Sequence, residues 1–273
     1  MDITNRNIEK EIIHIVYLFF CVIMLIREGE RKMILIDNVS KSYGKKGKII
    51  DNLNLEIKDG EIFGFLGPNG AGKSTTIKMI TGILNIDEGN ILINNKSIIT
   101  EPVAAKENFG YVPDVPDMFL KLKGIEYLNF IADMYNVGVQ DRKERIEYFS
   151  KIFEIHDFLN DKVQSYSHGM RQKLIIIGAL IHEPKNLIID EPMTGLDPKA
   201  TYELKKIMRE IASQNRTVFF STHILDVAEK LCDRIGIINH GKLLFVGTLE
   251  EMRNELKENR SLEELFMEIT KND

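Results

Sequence analysis

The segment EIFGFLGPNGAGKSTTIKMITG, Glu61 to Gly82, leaves a chain few folds to choose from. Ile62, Phe63, Phe65 and Leu66 read as a short buried strand, and Ser74 to Ile80 read as a helix that begins almost at once after it. The link is Gly67-Pro68-Asn69-Gly70-Ala71-Gly72-Lys73-Ser74. Glycines there let the backbone bend until successive N–H groups converge on one point. The N-terminus of the helix adds partial positive charge at that point. A lysine and hydroxyl residues follow, so the whole reads as a cradle for a polyphosphate. Lys73 reaches the β- and γ-phosphates, the Ser74 hydroxyl binds Mg²⁺, and Thr75 continues the first helical turn. The expected ligand is a nucleoside triphosphate with its magnesium ion.

A second apolar run, NLIIDEP from Asn186 to Pro192, ends in two carboxylates. Leu187, Ile188 and Ile189 suit a strand buried on both faces. Acids at the C-terminal end of a parallel strand lie in the crevice where such folds hold ligands. Asp190 is then the Mg²⁺ partner, directly or through water, and Glu191 is placed to polarise a water for attack on the γ-phosphate. A third run, TVFF, leads into Ser221-Thr222-His223. A histidine at that strand end can contact the γ-phosphate and sense its presence; a surface histidine at a turn is the alternative.

The surrounding chain is consistent with a globular domain. Residues 34 to 57 and 83 to 99 read as short strands with turns, giving an antiparallel sheet beside the parallel one. Residues 62 to 82 and 186 to 246 alternate strand and helix, and 115 to 167 reads helical. A formal net charge of −5 gives no sign of a nucleic-acid partner. Cys21 and Cys232 have no metal-ligand spacing, which fits a reduced, cytoplasmic chain. The N-terminus is unlike the rest. IIHIVYLFFCVIMLI, residues 12 to 26, is shorter than the ~20 apolar residues a spanning helix needs. No small-residue cleavage site follows it. Three readings stand: an extension ahead of a start at Met33, a membrane-contacting or buried helix, and a true span. The first is favoured, which divides the chain into an extension, 1–32, and a domain, 33–273.

With these motifs in hand, the chain from about Met33 onward resembles the ABC-type ATPases, the ATP-binding subunits of ABC transporters. The phosphate loop, YSHGM, IIDEP, GLDP and STH stand in that family's order and rough spacing, and DRIGIINHGKLLFVGT is also similar to it. The resemblance implies an α/β fold: a P-loop NTPase core with a parallel sheet, an antiparallel β-subdomain, and an inserted α-helical subdomain at about 115–167. It also implies head-to-tail pairing, a homodimer or a paired ATPase subunit. Ser167, His168, Gly169 and Met170 of each chain would cap the γ-phosphate in the partner's phosphate loop. A hydroxyl, backbone N–H groups and a helix N-terminus suit an anion; a plain helix cap by Ser167 is the simpler alternative. Tyr43 matches the aromatic residue that stacks on adenine, against an ordinary strand-end tyrosine. Asp197, in GLDP, matches the loop that links the two ATP sites across the pair.

The chain departs from the family pattern at three places. His168 and Met170 stand where glycine and glutamine are usual. Asp114, in FGYVPDVPDMF, holds the place of a glutamine that binds Mg²⁺ or orders water; a turn aspartate between two prolines is the alternative. The resemblance implies a cytoplasmic subunit, peripheral on the inner face of the cell membrane, that drives a separate membrane permease. The YVPDVP variant and a short tail, SLEELFMEIT, which reads as an amphipathic helix, favour the exporter branch. The rivals are a soluble ABC-type ATPase acting on ribosomes or DNA and a regulatory module that holds ATP without turnover. Against the first stand a single phosphate loop and no long heptad run or cysteine cluster. Glu191 stands against the second.

Overall fold

The computed structural model describes residues 32–44, 47–117, 119–255, 264, 266 and 267. The apolar run at 12–26 and most of the tail segment 261–270 lie outside the described residues. In chain order the elements are β1 Lys32–Ser42, β2 Lys48–Lys58, β3 Ile62–Leu66, α1 Lys73–Ile80, β4 Glu88–Ile93, β5 Lys96–Ser97, α2 Pro102–Lys106 and β6 Phe109–Val112. They continue with α3 Gly124–Met134, α4 Val139–Ile152, 3₁₀ turns at His156–Phe158 and Val163–Ser165, α5 His168–Leu180, β7 Asn186–Ile189 and α6 Pro198–Ser213. Last come β8 Thr217–Thr222, α7 Leu225–Leu231, β9 Arg234–Asn239, β10 Lys242–Gly247 and α8 Leu249–Glu255.

Two sheets form. One has the order β2-β1-β4-β5 and is antiparallel throughout; the other has the order β10-β9-β3-β8-β7-β6. From β9 to β6 the second sheet is parallel, with β10 antiparallel on its edge. Every residue of β3, β7 and β8 is buried, as their continuous apolar runs require of strands covered on both faces. Phe219 of β8 lies 6.0 Å from Phe63 and 5.6 Å from Phe65, ring to ring. Each such pair adds about 0.5–1.5 kcal/mol beyond simple burial. This packing fixes β3 against β8 and so sets where the loop after β3 emerges.

Helix α5 is apolar nearly all round, and every residue from Gln172 to Leu180 is buried. Helix α6 is amphipathic instead and buries Ala200, Leu204, Ile207, Met208 and Ile211 at helical spacing. The expected antiparallel strands are all present.

Two expectations need refinement. Within 115–167 the first helix begins only at Gly124. Pro113 and Pro116 hold the residues before them in extended backbone, which defers helix formation. Phe109–Val112, the first part of the FGYVPDVPDMF segment that aligns with the family's glutamine-bearing loop, is an edge strand paired parallel to β7. The strand expected to run from TVFF into STH does so, through Ser221 and Thr222, and His223 follows it.

Candidate active site

The loop after β3 wraps onto the start of α1. Gly72 caps that helix with φ 112° and offers no side-chain hydrogen bond. A β-carbon there would meet the Ile50 side chain at 2.5 Å, so both backbone and space require glycine. Lacking a side-chain cap, the first N–H groups of α1 point toward the loop as an anion site. Pro68, Asn69, Gly70, Gly72, Lys73, Ser74 and Thr75 line one cleft together with Asp114 and Glu191. Gly67 and Ala71 complete the same loop; Ala71 is buried and its N–H donates to the Pro68 carbonyl. Residues expected to serve one phosphate group are therefore brought together from β3, the loop after β6 and the end of β7.

Lys73 is buried at the floor of the loop. Its Nζ donates to the carbonyls of Gly67 at 2.7 Å and Pro68 at 3.3 Å, and lies 3.5 Å from Glu191 Oε1. The other Glu191 oxygen, Oε2, is 3.0 Å from His223 Nδ1. Glu191 thus sits between a lysine and a histidine. Its backbone has φ 49°, a left-handed conformation that non-glycine residues seldom adopt.

Asp190 is 1% exposed. Its Oδ1 accepts a 2.6 Å hydrogen bond from the Ser221 hydroxyl, and its Oδ2 is buried without a hydrogen-bond partner. Burial pushes its carboxyl above the usual carboxylate range; the Ser221 and Ser74 hydroxyls oppose this, while Asp114 and Glu191 reinforce it. A buried carboxylate oxygen lacking a donor, with the Ser74 hydroxyl and another carboxylate nearby, is a hard-oxygen set of the kind Mg²⁺ takes. No group of three or more His, Cys, Asp or Glu able to hold a metal exists among the described residues. Mg²⁺ in phosphate sites does not need one, because substrate phosphates supply ligands.

Ser221 was missed as a site residue, although STH drew attention to the histidine beside it. Its Oγ also accepts the Glu191 backbone N–H at 3.0 Å. One buried hydroxyl on β8 therefore fixes both carboxylates at the end of β7. Such a role depends on which strands are neighbours, and no local spacing encodes it.

The remaining expected residues lie apart from this cleft. Tyr43 follows the last residue of β1 and is 40% exposed. Ser167 caps α5 in its own chain, its Oγ accepting the Met170 N–H at 3.2 Å. His168 is exposed, whereas Gly169 and Met170 are partly covered. Asp197 caps α6 through the Ala200 N–H and forms a 2.6 Å ion pair with Lys173, which holds its carboxyl below the usual range. Arg171, another residue not singled out from sequence, pairs with Asp117 in the loop that carries Asp114.

Comparison with known proteins bears on the family and the fold. A family model described as ABC transporter matches residues 50–194. The linearmycin resistance ATP-binding protein LnrL of Bacillus subtilis is 36% identical over 224 residues, 82% of this chain and 72% of that one. A solved ATP binding subunit of an ABC transporter superposes with a TM-score of 0.83 at 32% identity, covering 87% of this chain and 99% of the other. A dimeric post-hydrolysis state of the ATP-binding cassette MJ0796, bound to ADP and Pi, superposes with a TM-score of 0.72 at 26% identity, over 80% and 99% of the two chains.

Proposed function

This chain belongs to the ABC transporter family as an ATP-binding subunit and ATPase, and from that premise we propose that it works as half of an ATP-clasped pair driving a separate membrane permease, in the direction of export. The observation that carries the reading is the convergence of the phosphate loop, Asp114 and Glu191 on one cleft.

In the proposed reaction the phosphate-loop N–H groups and Lys73 hold the β- and γ-phosphates, and Tyr43 stacks on the adenine. Ser74, Asp190 and Asp114 would hold Mg²⁺, which supplies charge neutralisation of the phosphates when bound. Glu191 orients and polarises the attacking water. His223 steadies the Glu191 carboxylate and contacts the γ-phosphate. The contact between Lys73 and Glu191 adds a safeguard. With the lysine turned onto loop carbonyls and the glutamate, the base is engaged. A γ-phosphate competes for the same ammonium and frees the carboxylate only when there is something to hydrolyse.

The signature residues 167–170 do not line their own chain's cleft. That separation supports their use in trans, where Ser167 and the α5 N-terminus cap the partner's γ-phosphate and Asp197 meets the partner chain. ATP then holds the pair together, and hydrolysis lets it part.

Support for a permease comes from the surface beside Asp114. Val115, Phe119, Phe130 and Met134 are large apolar side chains between 41% and 62% exposed, and the rings of Phe119 and Phe130 are 5.6 Å apart. Exposed apolar side chains such as these support a docking role. Among the described residues no helix is long and apolar enough to cross a membrane. The reading assigns the path across the bilayer to another polypeptide and puts this subunit at the inner face of the cell membrane. Export is favoured by the YVPDVP loop and by the likeness to a resistance protein's ATP-binding subunit. Residues 33–273 then form the working domain together with Lys32, which the expected boundary left out but which is the first residue of β1 and pairs with Lys58.

Glu191→Gln tests the pairing. With saturating ATP the variant should run as a dimer on gel filtration and release almost no phosphate. A monomer under those conditions contradicts the reading. Affinity purification from membranes should bring down a polytopic partner, and its absence would count against the permease.

A further inference from the structure

The loop from Glu191 to Asp197 begins in one nucleotide cleft and ends beside the signature helix. Its first residue is tied to β8, the Glu191 N–H donating to Ser221. Within it, the Thr194 N–H donates to the Glu191 carbonyl at 3.1 Å and the Leu196 N–H to the Met193 carbonyl at 3.4 Å. Met193 and Leu196 pack on the same hydrophobic core as Met170. Its last residue, Asp197, uses both carboxylate oxygens: Oδ1 accepts the Ala200 N–H at 2.9 Å and Oδ2 meets Lys173 Nζ at 2.6 Å.

The other side of the loop is in close contact with the signature itself. A β-carbon on Gly195 would meet His168 Cδ2 at 2.4 Å, and one on Gly169 would meet the Gly195 carbonyl oxygen at 2.7 Å. His168 therefore lies directly over Gly195, at a position where the family pattern has glycine. Lys173 is only 11% exposed and its partner Asp197 is 46% exposed, so the ammonium is held inside the contact. The short contact and the second hydrogen bond of Asp197 to the Ala200 N–H fix its geometry, while the exposed carboxylate keeps the pair's own contribution to stability small.

We propose that Lys173 is a positioning residue, whose ion pair with Asp197, together with the seating of His168 and Gly169 on Gly195, joins the signature end of α5 and the 191–197 loop into one rigid piece. Displacement of the signature by the partner's nucleotide then moves the loop, and the loop moves Glu191 in the chain's own cleft. The two ATP sites of a pair are coupled through this contact within each protomer, and not only across the seam. The inference rests on the paired reading proposed above. It adds to that reading a residue outside the nucleotide cleft, and a function for the basic side chain at the third position after Met170.

The test uses full-length protein carrying Lys173→Met or Lys173→Arg, each also combined with Glu191→Gln. Four quantities are measured: nucleotide affinity at low protein concentration with a fluorescent ATP analogue, ATP turnover, the Hill coefficient for ATP, and the ATP concentration that half-dimerises the Glu191→Gln forms. Coupling energies between sites commonly correspond to about 5- to 150-fold effects. Lys173→Met should keep the nucleotide affinity of the monomer, lose about tenfold in turnover, and bring the Hill coefficient toward that of independent sites. Lys173→Arg, which keeps the charge, should recover most of the loss. If Lys173→Met keeps wild-type turnover and Hill coefficient in its folded fraction, the residue is merely structural and the inference is overturned. Equal loss of monomer affinity overturns it as well. Should the Glu191→Gln parent fail to dimerise, the paired reading itself has failed; a parent that dimerises, with an unaltered Lys173→Met form, removes only the inference about Lys173.

Discussion

Replacing Ser221 by alanine removes one oxygen and should disturb two carboxylates. The hydroxyl is fully buried, donates to Asp190 Oδ1 at 2.6 Å and accepts the Glu191 N–H at 3.0 Å. A hydrogen bond to a charged group contributes about 1.5–3 kcal/mol, and a part-buried N–H left without its acceptor costs about another 1 kcal/mol. Destabilisation of about 2.5–4 kcal/mol follows. For a domain of this size it should lower Tm by roughly 5–16 °C. The effect on chemistry should exceed the effect on binding. Glu191 keeps its left-handed backbone, φ 49°, partly through the bond to Ser221. Small misplacements of catalytic groups cost up to about 100-fold in rate. Turnover should fall by about 10- to 100-fold while ATP affinity, set by the phosphate loop, stays close to wild type. Ser221 also holds Asp190's pKa down, so its loss raises that pKa further in the nucleotide-free protein. Thermal unfolding, nucleotide titration and steady-state ATPase assays from pH 5 to 8 measure all three. Wild-type turnover in a folded Ser221→Ala protein would refute the idea that this hydroxyl positions the two acids.

The other predictions concern buried groups and the phosphate loop. Asp190 is held above the ordinary carboxylate range by burial, so its ionised form opposes folding at neutral pH. Asp190→Asn should raise Tm without nucleotide and abolish turnover, and the gain should shrink as pH falls toward the ordinary carboxylate range. His182 stacks on Tyr135 with ring centroids 3.7 Å apart, and burial lowers its pKa from 6.5 to about 4. The unfolded chain therefore gains a proton first on acidification. Stability is fully present above pH 6.5 and declines toward pH 4 by up to about 1.4 kcal/mol per pH unit. His182→Phe should flatten that part of a denaturation-versus-pH curve; an unchanged slope rules out His182 as its source. Lys73→Ala should abolish tight ATP binding in equilibrium titrations, because the phosphates lose their main cation.

Local chemistry made much of this molecule legible in its sequence. The strand, glycine loop and helix from Ile62 to Ile80 are short-range features, and so is the all-round apolar character of α5. The acids at the end of NLII were legible because a strand buried on both faces must end somewhere polar. What escaped notice was either short or non-local. Strand β6 has four residues and runs into Pro113, and helix α2 has five, too few for a period to show. Ser221 matters only because β8 lies beside β7, and Lys173 only because α5 packs against the 191–197 loop. Sheet order is decided by packing between distant segments, which no single window of sequence contains. The cap by Ser167 was weighed as the simpler alternative and is what that hydroxyl does within its own chain.

The central claim is that each ATP is gripped by one protomer and covered by the other. A structure of the Glu191→Gln protein with ATP and magnesium tests it most directly. The account predicts two nucleotides at the interface of a symmetric pair, each with Ser167 of the opposite chain within hydrogen-bond reach of its γ-phosphate. Nucleotide held by a single chain, or Ser167 facing away from the neighbouring γ-phosphate, would contradict it.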